Sequence, residues 1–116
     1  MDILPTRFEI PSALREGWGM TADESEVNEN GFYTMYLSDG SYHIFVVDGE
    51  TMTVKKTLDV TENGKYVSRV NELEFVGGYI YANVWYKDTL LKIDAETGKV
   101  VKRWNMQDLM EAEKAF

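Results

Sequence analysis

Hydrophobic and polar positions along this chain alternate with a period of two, in short runs broken by turn residues. GFYTMYL at 31–37, SYHIFVV at 41–47, GGYIYANVW at 77–85 and TLLKI at 89–93 are rich in aromatic and β-branched residues. Successive side chains in such runs face opposite sides of a sheet, so each run predicts a strand. Asp39-Gly40, between the first two runs, is a dipeptide that closes tight hairpins. Residues 48–51 (DGET) and 94–98 (DAETG) read as turns. Short strands at close spacing with turn signals between them predict an all-β fold.

The chain also repeats itself. FVVDGETMTVKK at 45–56 aligns with LKIDAETGKVVK at 91–102, so Asp48 falls on Asp94, Glu50 on Glu96, Thr51 on Thr97, Val54 on Val100 and Lys56 on Lys102. One strand earlier, Gly31-Phe32-Tyr33 matches Gly78-Tyr79-Ile80. A period of roughly 40–50 residues with four strands in each is the pattern of β-propeller blades. The expected units run from about 18 to 59 and from about 73 to 104. Each has an inner strand, a middle strand, a strand ending in Asp, a D-x-E-T turn and an outer strand. Asp48, Thr51, Asp94 and Thr97 are expected to build those turns by accepting backbone N–H bonds, a simpler account than calcium ligation. Residues 61–70 link the units, with a turn at Asn63-Gly64. Residues 105–116 read as a helix that Asn105 caps, with Leu109, Ala112 and Phe116 on one face.

Composition narrows the partners. The 116 residues suffice for one domain, and 44% hydrophobic with 13% aromatic content supports a core. The net charge of −8, from 20 acidic against 12 basic residues, argues against a nucleic-acid partner and against anionic membrane surfaces. There is no cysteine, which excludes disulfides and thiolate metal sites. The single histidine, His43, makes a zinc site of the usual kind untenable and reads as structural. No cofactor is expected. The chain begins without the basic and apolar regions of a secretory signal.

The candidate chemistry gathers at residues 71–85 (NELEFVGGYIYANVW) and 16–19 (EGWG). Asn71, ahead of an inner strand, offers amide donors and an acceptor that can hold a carbonyl and stabilise an oxyanion. The same residue also fits a strand-entrance asparagine bonded to its own backbone. Trp85 and Trp18 read either as walls of an aromatic pocket or as packing between blades. Trp104, on an outer strand, reads as packing. Glu72 and Glu74 flank Leu73 and share a side, as acid–base groups or as solvated carboxylates. The residues alone reach an aromatic, polar-rimmed site on propeller blades, and no reaction.

EGWGMT at 16–21, the D-x-E-T turns, NELEFVGGYIYANVW at 71–85 and KIDAETGKV at 92–100 together resemble the glutaminyl-peptide cyclotransferases of the plant and bacterial type, over about residues 8–109. The resemblance implies a five-bladed propeller without zinc. It also implies conversion of an N-terminal glutamine to pyroglutamate with release of ammonia, so the expected partners are peptides with N-terminal glutamine. It matches Asn71 to the active-site asparagine that binds the reacting amide, and Trp18 and Trp85 to the walls of the substrate pocket. The family's glutamate proton shuttle and active-site lysine are expected upstream and downstream of these residues, so the chain looks like the central two-and-a-bit blades of a larger enzyme. A non-catalytic propeller fragment that binds a peptide or partner chain is the alternative, with self-association through open blade edges. Members of the family are commonly exported.

Overall fold

The computed structural model describes residues 19–85 and 87–105, which form ten strands. β1 (Gly19–Val27), β2 (Tyr33–Ser38), β3 (His43–Asp48) and β4 (Thr53–Asp59) make one antiparallel four-stranded sheet in chain order. β7 (Val70–Val76), β8 (Tyr79–Val84), β9 (Thr89–Asp94) and β10 (Val100–Asn105) make the second in the same order. Between them β5 (Thr61–Glu62) and β6 (Lys65–Tyr66) form a small hairpin. The sequence pattern reads 61–70 as a link with a turn at Asn63-Gly64, and the structure adds the two short strands around that turn. Asn63 and Gly64, with φ of 53° and 78°, supply the two positive-φ residues that a tight turn needs, and the link folds back on itself. The expected helix beyond Asn105 lies outside the described residues, as do Trp18 and the segment before it; Asn105 itself closes β10 opposite Thr89.

Period-two patterning sets the packing. In β8, Ile80, Ala82 and Val84 are buried while Tyr79, Tyr81 and Asn83 point to the other face. The buried set meets Ile44, Val46 and Leu58 of the first sheet and Val60 just after it, together with Val70, Leu73, Leu91 and Ile93, in one core between the sheets. Tyr36 and Phe75 stack across it at 5.2 Å. Burial pushes the Tyr36 hydroxyl above its ordinary pKa, and the carboxylates of Asp23, Glu26 and Glu96 push the same way. The inner strands meet directly: the Thr21 hydroxyl of β1 accepts the Phe75 N–H of β7 at 3.0 Å. Sheets stacked face to face with their first strands together are β-propeller blades.

In the repeated turns Asp48, Asp94 and Thr97 accept backbone N–H bonds as expected, while Thr51 takes part through its own N–H. Asp48 Oδ1 accepts the N–H groups of Glu50 (2.8 Å) and Thr51 (3.3 Å). Asp94 Oδ1 does the same for Glu96 (2.8 Å) and Thr97 (3.2 Å). In the first blade Glu50 takes a further part, accepting the side-chain amides of Asn28 (2.7 Å) and Asn30 (2.8 Å) from the β1–β2 loop. His43 is a cross-strand partner of Asp59, Nδ1 to Oδ1 2.8 Å, a structural contact.

Candidate active site at the inner-strand entrance

The connector after β4 returns over the end of the first blade. Val60 N–H donates to the Tyr42 carbonyl (2.8 Å), Arg69 N–H to Gly40 (3.1 Å) and Val70 N–H to Ser41 (3.3 Å). The Asp39 carboxylate fixes this receiving turn by accepting from the Ser41 N–H (3.1 Å) and hydroxyl (2.5 Å). The start of β7 is therefore anchored to the β2–β3 turn before its own sheet begins.

β7 then departs from regular pairing. Val70 pairs with Val84 and Leu73 with Ala82, so residues 71–72 form a bulge. A bulge leaves backbone groups without ladder partners and re-aims a side chain. Here both needs are met from neighbouring strands. The Asn83 side-chain oxygen accepts the Glu72 N–H at 2.8 Å. The Asn71 carbonyl accepts the Ser38 hydroxyl at 2.6 Å, and Ser38 is 0% exposed. Gly19, at the start of β1, lies so close that a Cβ there would collide with the Asn71 carbonyl oxygen. β1 and β2 thus confine the Asn71 carbonyl and β8 holds the next residue's N–H, while Asn71 itself is half-buried at the blade end. Among the described residues, no hydrogen bond ties its carboxamide to its own backbone, as the turn-builder reading requires.

Trp85 follows Val84 directly. Its N–H donates to the Arg69 carbonyl at 2.8 Å, and it keeps 42% of its surface exposed. Asn71 and Trp85 therefore flank the same Val70–Val84 rung. Trp18 lies outside the described residues; Gly19, which follows it in the chain, abuts Asn71. Glu72 and Glu74 are both exposed on either side of buried Leu73. Trp104 stacks on Tyr81 at 6.3 Å, a packing role. Among the described residues no group of three or more His, Cys, Asp or Glu is placed to hold a metal ion.

Sequence reasoning missed Ser38, Asn83 and Gly19. Asn83 carried a signal, an amide on a strand otherwise made of apolar and aromatic residues, but its partner depends on a bulge that no local pattern announces.

A family model described as glutamine cyclotransferase matches residues 6–115. The chain belongs to the glutamine cyclotransferase family. It is 30% identical over 88 residues to a glutaminyl-peptide cyclotransferase of Arabidopsis thaliana, which covers 76% of this chain and 25% of that relative. The crystal structure of Myxococcus xanthus glutaminyl cyclase superposes with a TM-score of 0.69 at 30% identity, over 86% of this chain and 40% of the other. BamB from Moraxella catarrhalis shares the fold alone, with a TM-score of 0.50 at 12% identity over 76% of this chain and 24% of the other. The chain therefore spans a quarter of the length of its curated relative in this family and two-fifths of the solved one.

Proposed function

We propose that the inner-strand entrance of this glutamine cyclotransferase family member binds the N-terminal glutamine of a peptide, and that Asn71 serves its cyclisation to pyroglutamate. The observation that carries the reading is the clamp on Asn71. Its backbone is fixed by Ser38, Gly19 and the Asn83-supported bulge, which leaves the carboxamide to address a ligand. In the reaction the substrate's neutral α-amine attacks its own side-chain amide carbon. A C–N bond forms, the bond to the amide nitrogen breaks, and that nitrogen leaves as ammonia carrying the proton lost by the amine. Proximity is built into the substrate, so the protein's part is to hold the folded conformer and the developing oxyanion. The Asn71 N–H donors suit the oxyanion, and Trp85 with Trp18 suits the walls around the aliphatic part of the side chain.

Support for the reading is family membership together with the placement of Asn71 and Trp85 about one rung. The test is ammonia release from a glutamine-initiated dipeptide by the purified chain. Asn71→Ala should lower kcat by about 10²–10³-fold, the usual cost of one oxyanion donor, while dipeptide binding persists. Release that survives Asn71→Ala overturns the assignment, whereas a folded chain that releases no ammonia would show that the chemistry needs the glutamate and lysine expected outside these residues. The second reading is a non-catalytic propeller unit that binds a peptide or partner chain. It is favoured by the apolar groups left at the surface of the second sheet, with Val76 and Val101 each 52% exposed.

A further inference from the structure

A cleft of about 570 Å³ opens at the same blade end, between the β5–β6 hairpin and the second sheet. Its charge is opposite to that of the chain. Among the described residues, Lys65, Arg69, Lys87 and Arg103 line it, with Glu62 as the acidic group. Glu62 is already engaged, accepting from Arg103 Nη2 at 2.6 Å and Nε at 3.0 Å. The rest of the described lining is basic or uncharged, in a protein of net charge −8. Low-dielectric walls with one sign of charge focus the field and raise the local concentration of the opposite charge.

The backbone at Arg69 is a second observation. Its φ is 62°, a left-handed conformation that side-chain-bearing residues rarely adopt. It is held there by its N–H on the Gly40 carbonyl and its own carbonyl on the Trp85 N–H. Such outliers persist only where the surroundings impose them, and they gather at ligand sites. Position is the third. Val84, which lines the cleft, is the rung partner of Val70, and Arg69 is two residues from Asn71, at most about 7 Å along an extended chain.

We propose that this cleft receives the part of a peptide that follows its first residue, and that it selects carboxylate side chains at about the second to fourth positions. The register with Asn71 rests on the function proposed above; the acid selectivity rests on the cleft alone. Basic side chains around an open cleft suit flexible carboxylates.

The test is calorimetric binding of product peptides, in which no further chemistry occurs, at low salt to limit screening. Pyroglutamyl-Ala-Glu-Glu should bind about tenfold more tightly than pyroglutamyl-Ala-Lys-Lys. The preference should vanish in Lys65→Glu/Lys87→Glu and shrink in the milder Lys65→Ala/Lys87→Ala, with circular dichroism confirming that both variants keep their strands. Asn71→Ala should leave the ratio of the two affinities unchanged. Equal binding of the two peptides, a preference that survives the lysine changes, or inorganic phosphate binding as tightly as the acidic peptide each overturns the proposal. If Ala-Ala-Glu-Glu binds as tightly as the pyroglutamyl peptide, the acidic subsite stands and the N-terminal glutamine reading falls.

Discussion

At the scale of the residue, the site depends on contacts too small to announce themselves in the sequence. Asn71 was recognisable as a candidate because an amide stood before a strand of apolar and aromatic residues. Its support was not, because Ser38 lies 33 positions away and acts through one hydroxyl. Gly19 contributes by having no side chain. In Gly19→Ala the new methyl meets the Asn71 carbonyl and approaches Ser38 Oγ at 2.9 Å, so backbone must move. Overpacking of this kind costs about 1–3 kcal/mol. The expected outcome is a lower denaturation midpoint together with a fall in peptide affinity, read by urea titration and calorimetry. Unchanged affinity would show that the position of Asn71 does not matter to the ligand.

At the scale of the element, strands and turns were legible because period-two patterning and D-x-E-T chemistry are local. The Asp48 and Asp94 turns follow directly from side chains that bond their own neighbourhood. The bulge at 71–72 and the β5–β6 hairpin were less legible, because each is stabilised by residues far along the chain. Asn83 completes the bulge, and Arg103 of β10 ties down Glu62 of the hairpin. The hydrogen bonds from Arg103 hold the Glu62 carboxyl below the usual carboxylate range, while its partial burial acts weakly the other way. A depressed folded-state pKa contributes stability that is present above the unfolded value, about 4.3, and is lost as pH falls through the folded one. Both partners are partly exposed, so the contribution is at most about 1 kcal/mol and screened by salt. Between pH 6 and pH 3, the wild type should lose more stability than Glu62→Gln by that amount in urea unfolding. Equal losses would mean that the pair contributes nothing.

At the scale of the whole molecule, the repeat of blade turns gave the architecture, since a period of this length with four strands has few solutions. It could not show how the blades meet, which depends on Tyr36, Phe75 and the aliphatic residues between the sheets. The outer strands carry Lys55 and Lys56 on β4, and Lys102 and Arg103 on β10, charges that oppose strand-to-strand pairing at those edges. The far face of the second sheet is different, with Tyr79, Tyr81, Leu90 and Trp104 half-buried. Self-association, where it occurs, is therefore expected between faces. Sedimentation should show a concentration-dependent dimer that Trp104→Lys dissociates and Lys102→Ala does not. A dimer that is indifferent to Trp104→Lys would place the contact elsewhere.

Whether the inner-strand entrance is a glutamine site can be read by nuclear magnetic resonance of the isotope-labelled chain titrated with Gln-Ala and, in parallel, Ala-Ala. For a glutamine site, the Asn71 side-chain amide and the Trp85 indole resonances should shift together with Gln-Ala, saturate with one dissociation constant, and respond weakly to Ala-Ala. Equal responses to the two dipeptides, or shifts confined to residues away from the Val70–Val84 rung, would contradict it.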